Sequence, residues 1–488
     1  MKRLLIANRG EIAVRIARTA RERGLVTIAV HSTADRGAPH TNACDIAVEI
    51  GPAPAAESYL DVRRLLEAAR ETQADAIHPG YGFLSENADF AEAVLADGRC
   101  WVGPTPEAMR KMGGKIAARQ IMQSAGVPVV PGFHASTGDD AALAQGARTL
   151  GFPVLVKASA GGGGKGMRRV DRSEDLAPAL AGARREALAA FADPAIYLEK
   201  AIDRPRHVEV QIFGDAQGGI MALFERECSI QRRHQKIVEE SPSSIDEETR
   251  RRMAEAAVAA GRAVGYRGAG TVEFLLDSGG RFYFLEMNTR LQVEHAVTEE
   301  TLGIDLVAGQ LDVADGRPLP AAWAAVAPRG HAIECRVYAE DPETFLPRSG
   351  KVLAYEEPSG PGVRVDSGIG AGSVVGIDYD PILAKVIVRA EDRPSAVARM
   401  RRALSQYVIL GVTTNLRLLR RIVASGEFEA GRLDTAFLSR LPPDGAHEPP
   451  PAAVAAAAWA ARSSASPRFA ATPGPPDPWR DVSGWRSR

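Results

Sequence analysis

From residue 2 to about residue 103 short apolar runs alternate with amphipathic stretches, and this order constrains the fold more than any other feature of the chain. Lys2–Ala7 reads as a buried strand, Glu11–Glu22 keeps Ile12, Ile16 and Ala20 at helical spacing, and Leu25–His31 is apolar again. Strand–helix–strand repetition of this kind predicts a parallel sheet with helices outside it, hence an α/β class. At 488 residues the chain exceeds one ordinary core, so two to four structural units are expected.

The pattern then changes. Between 130 and 240, strands are separated by glycine loops and charged segments; Thr271–Arg290 reads as a hairpin; His331–Val388 is rich in short strands; Pro394–Ile422 returns to helix. The class is therefore α+β overall. Beyond about residue 445 the composition collapses to Ala, Pro and Ser (Glu448-Pro449-Pro450-Pro451, Ala-rich to Ala461, Pro473-Gly474-Pro475-Pro476), which predicts a disordered linker or tail over 442–488.

Sixty Lys+Arg against 61 Asp+Glu leave a formal charge of −1, without the basic excess of a nucleic-acid partner. Leu4-Leu5-Ile6-Ala7 is interrupted by Asn8-Arg9-Gly10-Glu11 too early for a signal peptide, and no run of 18 apolar residues predicts a membrane span. Cys44, Cys100, Cys228 and Cys335 form no C-x-x-C pair and read as reduced, mostly buried thiols of a cytoplasmic protein.

The strand-like Val154-Leu155-Val156-Lys157 leads into Gly161-Gly162-Gly163-Gly164-Lys165-Gly166-Met167. A dinucleotide fingerprint needs a helix next, but Met167-Arg168-Arg169-Val170 looks like a returning strand; a Walker A loop needs Ser or Thr after Lys165, where glycine stands. Two readings stay open: a glycine hairpin whose N–H groups close over phosphates, or an ordinary mobile loop. Lys157 favours the first, because a lysine in an apolar strand is costly unless an anion meets it.

In Gly270–Arg290, Gly279-Gly280 suits a two-residue hairpin loop, and in that register residue i faces 559 − i. Glu273 then lies opposite Glu286, with Asn288 on the same face. Two carboxylates about 5 Å apart repel by roughly 3 kcal/mol at an effective dielectric near 20. A hard divalent cation offsets this, since carboxylates, an amide oxygen and substrate phosphates suit Mg²⁺; protonation of one glutamate, or its turning to solvent, would offset it too. Arg290-Leu-Gln292-Val293-Glu294-His295 follows, either a surface ion pair or a cradle for a small oxyanion. Arg226–Lys236 is either a solvated charged face or, given Glu225, Glu227, Glu239 and Glu240, a paired network.

These segments together resemble the biotin carboxylase family over roughly residues 1–441. The resemblance rests on Ile6-Ala-Asn-Arg-Gly-Glu-Ile-Ala13, His78-Pro-Gly-Tyr-Gly-Phe-Leu-Ser-Glu-Asn87, the glycine loop, Arg232-Arg-His-Gln-Lys236, Glu286-Met-Asn-Thr-Arg-Leu-Gln-Val-Glu-His295 and Gly330-His-Ala-Ile-Glu-Cys-Arg336. It implies an ATP-grasp fold: a Rossmann-like N-terminal domain over 1–113, an ATP-grasp domain over 114–330 with a mobile lid at about 131–203, and a β-rich C-terminal domain over 331–441. By motif position it implies Lys115, Lys157, Gly163, Gly164, Met167, Glu199, Lys200, Ile202, His207, Gln231 and His234 for ATP; Glu273, Glu286 and Asn288 for Mg²⁺ or Mn²⁺; and Lys236, Arg290, Gln292, Val293, Glu294 and Arg336 for bicarbonate and biotin. Lys236, Arg290, Glu294 and Arg336 would be catalytic.

The activity implied is carboxylation of N1′ of carrier-bound biotin through carboxyphosphate, the first half-reaction of an acyl-CoA carboxylase. A carrier protein or domain, a carboxyltransferase subunit and a homodimer are implied as partners. The chain carries no Ala/Val-Met-Lys-Met motif, so biotin is expected on another chain or a lost segment. The rival readings are another ATP-grasp ligase, making carbamoyl phosphate or joining a carboxylate to an amine, and a non-catalytic scaffold.

Overall fold

Leu4, Leu5 and Ile6 are fully buried, so the strand Arg3–Ile6 occupies the middle of a sheet. In the computed structural model, which describes residues 1–135, 139–159, 167–232 and 235–443, that sheet has five parallel strands in the order Ile46–Gly51, Val26–Ser32, Arg3–Ile6, Ala76–His78, Cys100–Trp101. Helices Gly10–Glu22, Val62–Glu71 and Ala88–Ala96 make the crossovers that parallel strands require. Ile12, Ile16 and Ala20 are at most 2% exposed, as helical spacing predicts. Asp61 and Asn87 cap the second and third helices by accepting N–H bonds from Arg64 and Phe90.

A separate antiparallel sheet follows, ordered Gly132–His134, Ile196–Lys200, Val154–Ala158, Arg168–Val170. Arg168–Val170 returns against Val154–Val156, as expected of a glycine hairpin; Gly163 and Gly164 lie outside the described residues, as does His234. The helices Asp140–Leu150 and Leu176–Phe191 pack beside this sheet and were not anticipated. Much of what they bury is small (Gly146, Ala147, Ala183, Ala187), so their apolar stripe is weak in the sequence.

The largest sheet has eight strands: Phe282–Asn288, Gly268–Leu276, Arg206–Gly214, Ile220–Arg232, Gln235–Ser241, His331–Tyr338, Ile382–Ala390 and Val363–Ser367, with antiparallel pairing throughout. It runs continuously across residue 330, because His331–Tyr338 pairs with Gln235–Ser241. The expected helix over Pro394–Ile422 is two helices, Arg393–Gln406 and Leu416–Ala424. They are separated by the strand Val408–Leu410 and by Gly411, whose φ of +95° no helix accepts. All four cysteines are free, and no described helix is long and apolar enough to cross a membrane. Residues 1–441 form one unit, and the expected tail from 444 on lies outside the described residues.

The hairpin differs from expectation in one detail. Asp277 N–H bonds the Arg281 carbonyl, leaving Ser278, Gly279 and Gly280 as a three-residue loop with Gly280 at φ +77°. A bulge between Glu273 and Phe274 shifts the register by one, so that beyond it Thr271 faces Asn288 and Glu273 faces Glu286. The expected pairing stands; the two-residue loop does not.

Candidate functional site

In Arg206–Gly214, His207, Glu209 and Gln211 alternate with Val208, Val210 and Ile212, so the three polar groups share a face. Both faces are buried. Glu209 stands opposite Arg226 on one side and Glu273 on the other, and Glu273 opposite Glu286. One row across four strands therefore reads Arg226, Glu209, Glu273, Glu286: one cation and three successive carboxylates. Such a row is untenable without further positive charge.

Two cations supply part of it. Arg226, fully buried, donates Nε to Glu209 Oε1 at 2.5 Å and reaches Gln211, Thr298 and Thr271 at 2.7, 3.0 and 2.9 Å. Lys236 Nζ donates to Glu209, to Glu273 Oε1 at 2.7 Å and to Glu294 Oε1 at 2.6 Å. Glu273 Oε1 also accepts from Asn288 Nδ2 at 2.8 Å and Gln292 Nε2 at 3.3 Å. His207 Nε2 lies 2.7 Å from Glu273 Oε2, but off-axis for a hydrogen bond. Burial opposes the charge on Glu273, yet Lys236 and His207 outweigh it and hold the carboxyl well below its ordinary range. Burial likewise opposes the charge on His207, and Glu273 overrides it, raising the imidazole's pKa.

Glu286, the outer end of the row, is different. It is solvent-accessible and has no hydrogen-bond or ion-pair partner among the described residues. The protein mass around it and repulsion from Glu273 raise its pKa, against the pull of Lys115 and Lys236. A carboxylate left uncompensated beside an ionised one is where a divalent cation would bind, so Glu286 and Glu273 fit a metal. Asn288 directs its amide nitrogen to Glu273 and its oxygen to Arg290 Nη2 at 3.0 Å; serving a cation requires that amide to turn. Two other groups bring ligand atoms within 4.8 Å of one another, His207-Glu209-Glu273 and Glu209-Cys228-Glu294. Lys236 already neutralises the carboxylates of both.

Lys157 meets the anion its strand position demands: Nζ donates to Glu199 Oε2 at 2.9 Å, and Arg119 reaches the other oxygen at 3.1 Å. Desolvation opposes the charge on Lys157 but Glu199 prevails, raising its pKa, with Glu286 adding to the effect. Lys115 begins the helix Lys115–Ser124, and desolvation and repulsion by Lys157 lower its pKa. Thus both lysines lie within electrostatic reach of Glu286. Lys200 donates to the carbonyls of Gly151 and Phe152 at 2.8 and 3.0 Å. Gln231 touches His207 at 3.3 Å, while Met167 and Ile202 are half-buried.

On the other flank, Glu294 is fully buried between Lys236 and Arg336, whose Nη2 lies 2.9 Å from Oε2. Burial alone would raise its pKa; Lys236 and Arg336 instead hold it well below the carboxylate range. Arg336 Nε also donates to Glu239 at 2.5 Å. Glu239 is pushed up to about 7 by burial, which Arg336 offsets only in part. Arg290 spans Glu86 Oε2, Asn288 Oδ1 and Gln292 Oε1 at 3.0, 3.0 and 3.2 Å. Arg290, Gln292 and Glu294 therefore surround the same small region as Lys236 and Arg336.

In the segment Arg226–Lys236, the described charged residues Arg226, Glu227, Arg232 and Lys236 are thus paired. The network includes Glu209, which the sequence reading did not name, and Glu86, Arg226 and Glu239, which it named only within a motif or a charged segment and without a role. Glu209 had a readable signal, the polar alternation of His207, Glu209 and Gln211; Glu86 lay in the His78–Asn87 motif, but its partners were unreadable because it reaches Thr289 and Arg290 from 203 and 204 positions away.

An antiparallel sheet bearing a buried row of carboxylates, with Lys115 and Lys157 in electrostatic reach of one end and Lys236, Arg290 and Arg336 on the other flank, fits the ATP-grasp class. Residues 1–109 match the biotin carboxylase N-terminal domain, 114–322 the carbamoyl-phosphate synthase L chain ATP binding domain, and 334–440 the biotin carboxylase C-terminal domain. The chain belongs to the biotin carboxylase family. It is 50% identical over 443 residues to biotin carboxylase of Allochromatium vinosum, covering 90% of this chain and 98% of that one. It is 49% identical over 448 residues to the mitochondrial methylcrotonoyl-CoA carboxylase subunit alpha of Oryza sativa, covering 91% of this chain but 61% of that relative's length. Among solved structures, the biotin carboxylase domain dimer of Hydrogenobacter thermophilus 2-oxoglutarate carboxylase, in complex with MgADP, ADP and bicarbonate, superposes with a TM-score of 0.88 at 41% identity, covering 91% of this chain and 99% of that one.

Proposed function

We propose that this chain uses MgATP and bicarbonate to carboxylate N1′ of biotin carried on a separate protein or domain, as the first half-reaction of a cytoplasmic acyl-CoA carboxylase. One observation carries the reading: the carboxylate row ends at Glu286, unpaired among the described residues and in electrostatic reach of Lys115 and Lys157, while Lys236, Arg290, Glu294 and Arg336 gather on its other flank. A phosphate site thereby adjoins an oxyanion site. In this reading Lys115, Lys157, Met167, Glu199, Lys200, Ile202, His207 and Gln231, with Gly163, Gly164 and His234, bind ATP. Glu273, Glu286 and a turned Asn288 hold Mg²⁺ or Mn²⁺, which when bound neutralises charge on the phosphates.

Bicarbonate drawn against Lys236, Arg290, Gln292 and the Val293 N–H competes for the cations on Glu294. Glu294 then becomes more basic and takes the bicarbonate proton. Bicarbonate oxygen attacks the γ-phosphorus, ADP leaves, and the carboxyphosphate formed breaks down to CO₂ and phosphate. That phosphate accepts the N1′ proton of biotin, and Arg336 stabilises the ureido enolate that captures CO₂. The names of the relatives support a carboxyl carrier and a carboxyltransferase as partners, and the Hydrogenobacter neighbour supports a homodimer.

The test is ATP hydrolysis by the purified chain with and without bicarbonate and free biotin. Hydrolysis should require bicarbonate and accelerate with biotin, and Glu294→Gln should abolish both responses. Bicarbonate-dependent hydrolysis indifferent to biotin would favour a carbamoyl-phosphate-type ligase, and unchanged turnover in Glu294→Gln would remove Glu294 from the chemistry.

A further inference from the structure

Lys385 lies in the strand Ile382–Ala390 with its side chain fully buried, and nothing in the reaction above uses it. An ammonium taken out of water needs compensation. Lys385 has two carboxylates nearby, Glu11 Oε2 and Asp366 Oδ2, each at 3.8 Å, yet it hydrogen-bonds neither. Its hydrogen bond goes instead to a neutral group, the backbone carbonyl of Val293, at 2.8 Å.

Charge balance alone explains the burial of the ammonium but not the direction of its hydrogen bond. Asp366 already holds the guanidinium of Arg364 through two bonds of 3.0 and 2.7 Å. Among the described residues Glu11 finds no hydrogen-bond partner at either oxygen, and neither does Glu334, also buried. Burial pushes Glu11 up to about 7 and Glu334 well above the carboxylate range, Lys385 offsetting each only in part. The ammonium thus stands among carboxylates at ion-pair distance, but its hydrogen bond is aimed at a peptide.

Which peptide it holds matters. Lys385 stands directly opposite Arg336 in the ladder with His331–Tyr338, so the two side chains share a face. Arg336 binds the carboxylate of Glu294 at 2.9 Å, while Lys385 binds the carbonyl that precedes Glu294. One rung of the sheet thereby holds both the Glu294 carboxylate and the peptide that joins Val293 to Glu294. On Glu294's other side, Lys236 completes the grip.

We propose that Lys385 is a positioning residue for the oxyanion cradle: by holding the carbonyl of the Val293–Glu294 peptide, it fixes the backbone from which the Glu294 carboxylate is presented to bicarbonate and, one peptide earlier, restrains the Val293 N–H. The proposal rests on the bicarbonate reading of this site. A lysine serving only the core would destabilise the fold when replaced and would weaken nucleotide and bicarbonate alike. A positioning lysine acts on bicarbonate selectively, since a misplacement of about 1 Å at a reacting group costs up to about a hundredfold in rate.

The experiment uses the full chain with Lys385→Met and Lys385→Arg. For each, the KM values for bicarbonate and ATP come from bicarbonate-dependent ATP hydrolysis, and the Kd for bicarbonate comes from calorimetry in the presence of MgADP. Lys385→Met should raise both bicarbonate constants about thirtyfold and leave the KM for ATP within about twofold. Lys385→Arg, whose guanidinium can still donate to the Val293 carbonyl, should raise them only about fivefold. Unshifted bicarbonate constants in Lys385→Met, or ATP and bicarbonate constants that rise together, overturn the proposal. If Lys385→Met does not fold, Lys385→Arg decides on the same criteria. A wild-type chain whose hydrolysis ignores bicarbonate removes the underlying reading and the proposal with it; a bicarbonate-dependent wild type with indifferent variants removes the proposal alone.

Discussion

Replacing Lys236 with methionine removes the ammonium that Glu209, Glu273 and Glu294 share. At the 2.7 and 2.6 Å separations to Glu273 and Glu294, each contact has a gross attraction of about 6 kcal/mol at an effective dielectric near 20. The net loss is smaller, because burying the lysine no longer costs desolvation and the stranded carboxylates can take up protons; about 4 kcal/mol is the expected destabilisation near pH 8. The sign of its pH dependence follows from the carboxyl groups. In the wild type Glu273 and Glu294 are depressed below their ordinary 4.5, so their stabilisation is complete above that value and is lost only as pH falls through the lower folded values. Without Lys236 the cluster's pKa values rise above 4.5 instead, and such groups lose stability as pH increases. The destabilisation should therefore shrink to about 2 kcal/mol near pH 5.5. Urea unfolding followed by tryptophan fluorescence at both pH values measures it, and contributions from other titrating groups cancel in the difference between wild type and variant. A destabilisation equal at the two pH values would refute the reasoning, because it would mean that these carboxylates stay ionised without the lysine.

Glu11→Gln should flatten part of the wild-type pH dependence: a carboxyl raised from 4.5 to about 7 by burial contributes stability that is complete below 4.5 and lost as pH rises through 7, about 3 kcal/mol in all, and parallel unfolding curves for the two proteins across that range would contradict it. Glu286→Gln should raise the Mg²⁺ concentration needed for half-maximal hydrolysis by about tenfold or more with little change in thermal stability, because it makes no hydrogen bond or ion pair among the described residues; an unchanged Mg²⁺ requirement would remove it from the metal site. Glu86→Ala frees the Arg290 Nε and should raise the KM for bicarbonate several-fold with little change in that for ATP, checked by steady-state kinetics.

The parallel N-terminal sheet was legible because its apolar runs and helix faces repeat, and Ile12, Ile16 and Ala20 are buried as their spacing requires. The opposition of Glu273 and Glu286 was legible because hairpin register is a local property; it survived an error in loop length since a bulge restored the count. Long-range geometry was hidden. That Glu209 continues the same row depends on a strand pairing with Gly268–Leu276 that joins residues far apart in sequence, and Lys385 reaches Val293 across 92 positions. The helices Asp140–Leu150 and Leu176–Phe191 escaped notice because alanine and glycine fill much of their buried face. Motif resemblance pointed to Arg336 and Glu294, whereas their ion pairing with Lys236 and Glu239 into one buried network is a property of the fold.

The central claim is that phosphoryl transfer at the carboxylate row is coupled to capture of carbon from bicarbonate on biotin. Incubating the chain with MgATP, radiolabelled bicarbonate and free biotin, and counting label in biotin against ADP formed, tests it most directly. Label should appear in biotin only with ATP present, never exceed the ADP formed, and vanish in Glu294→Gln. ATP hydrolysis that proceeds with bicarbonate while biotin stays unlabelled would contradict the account.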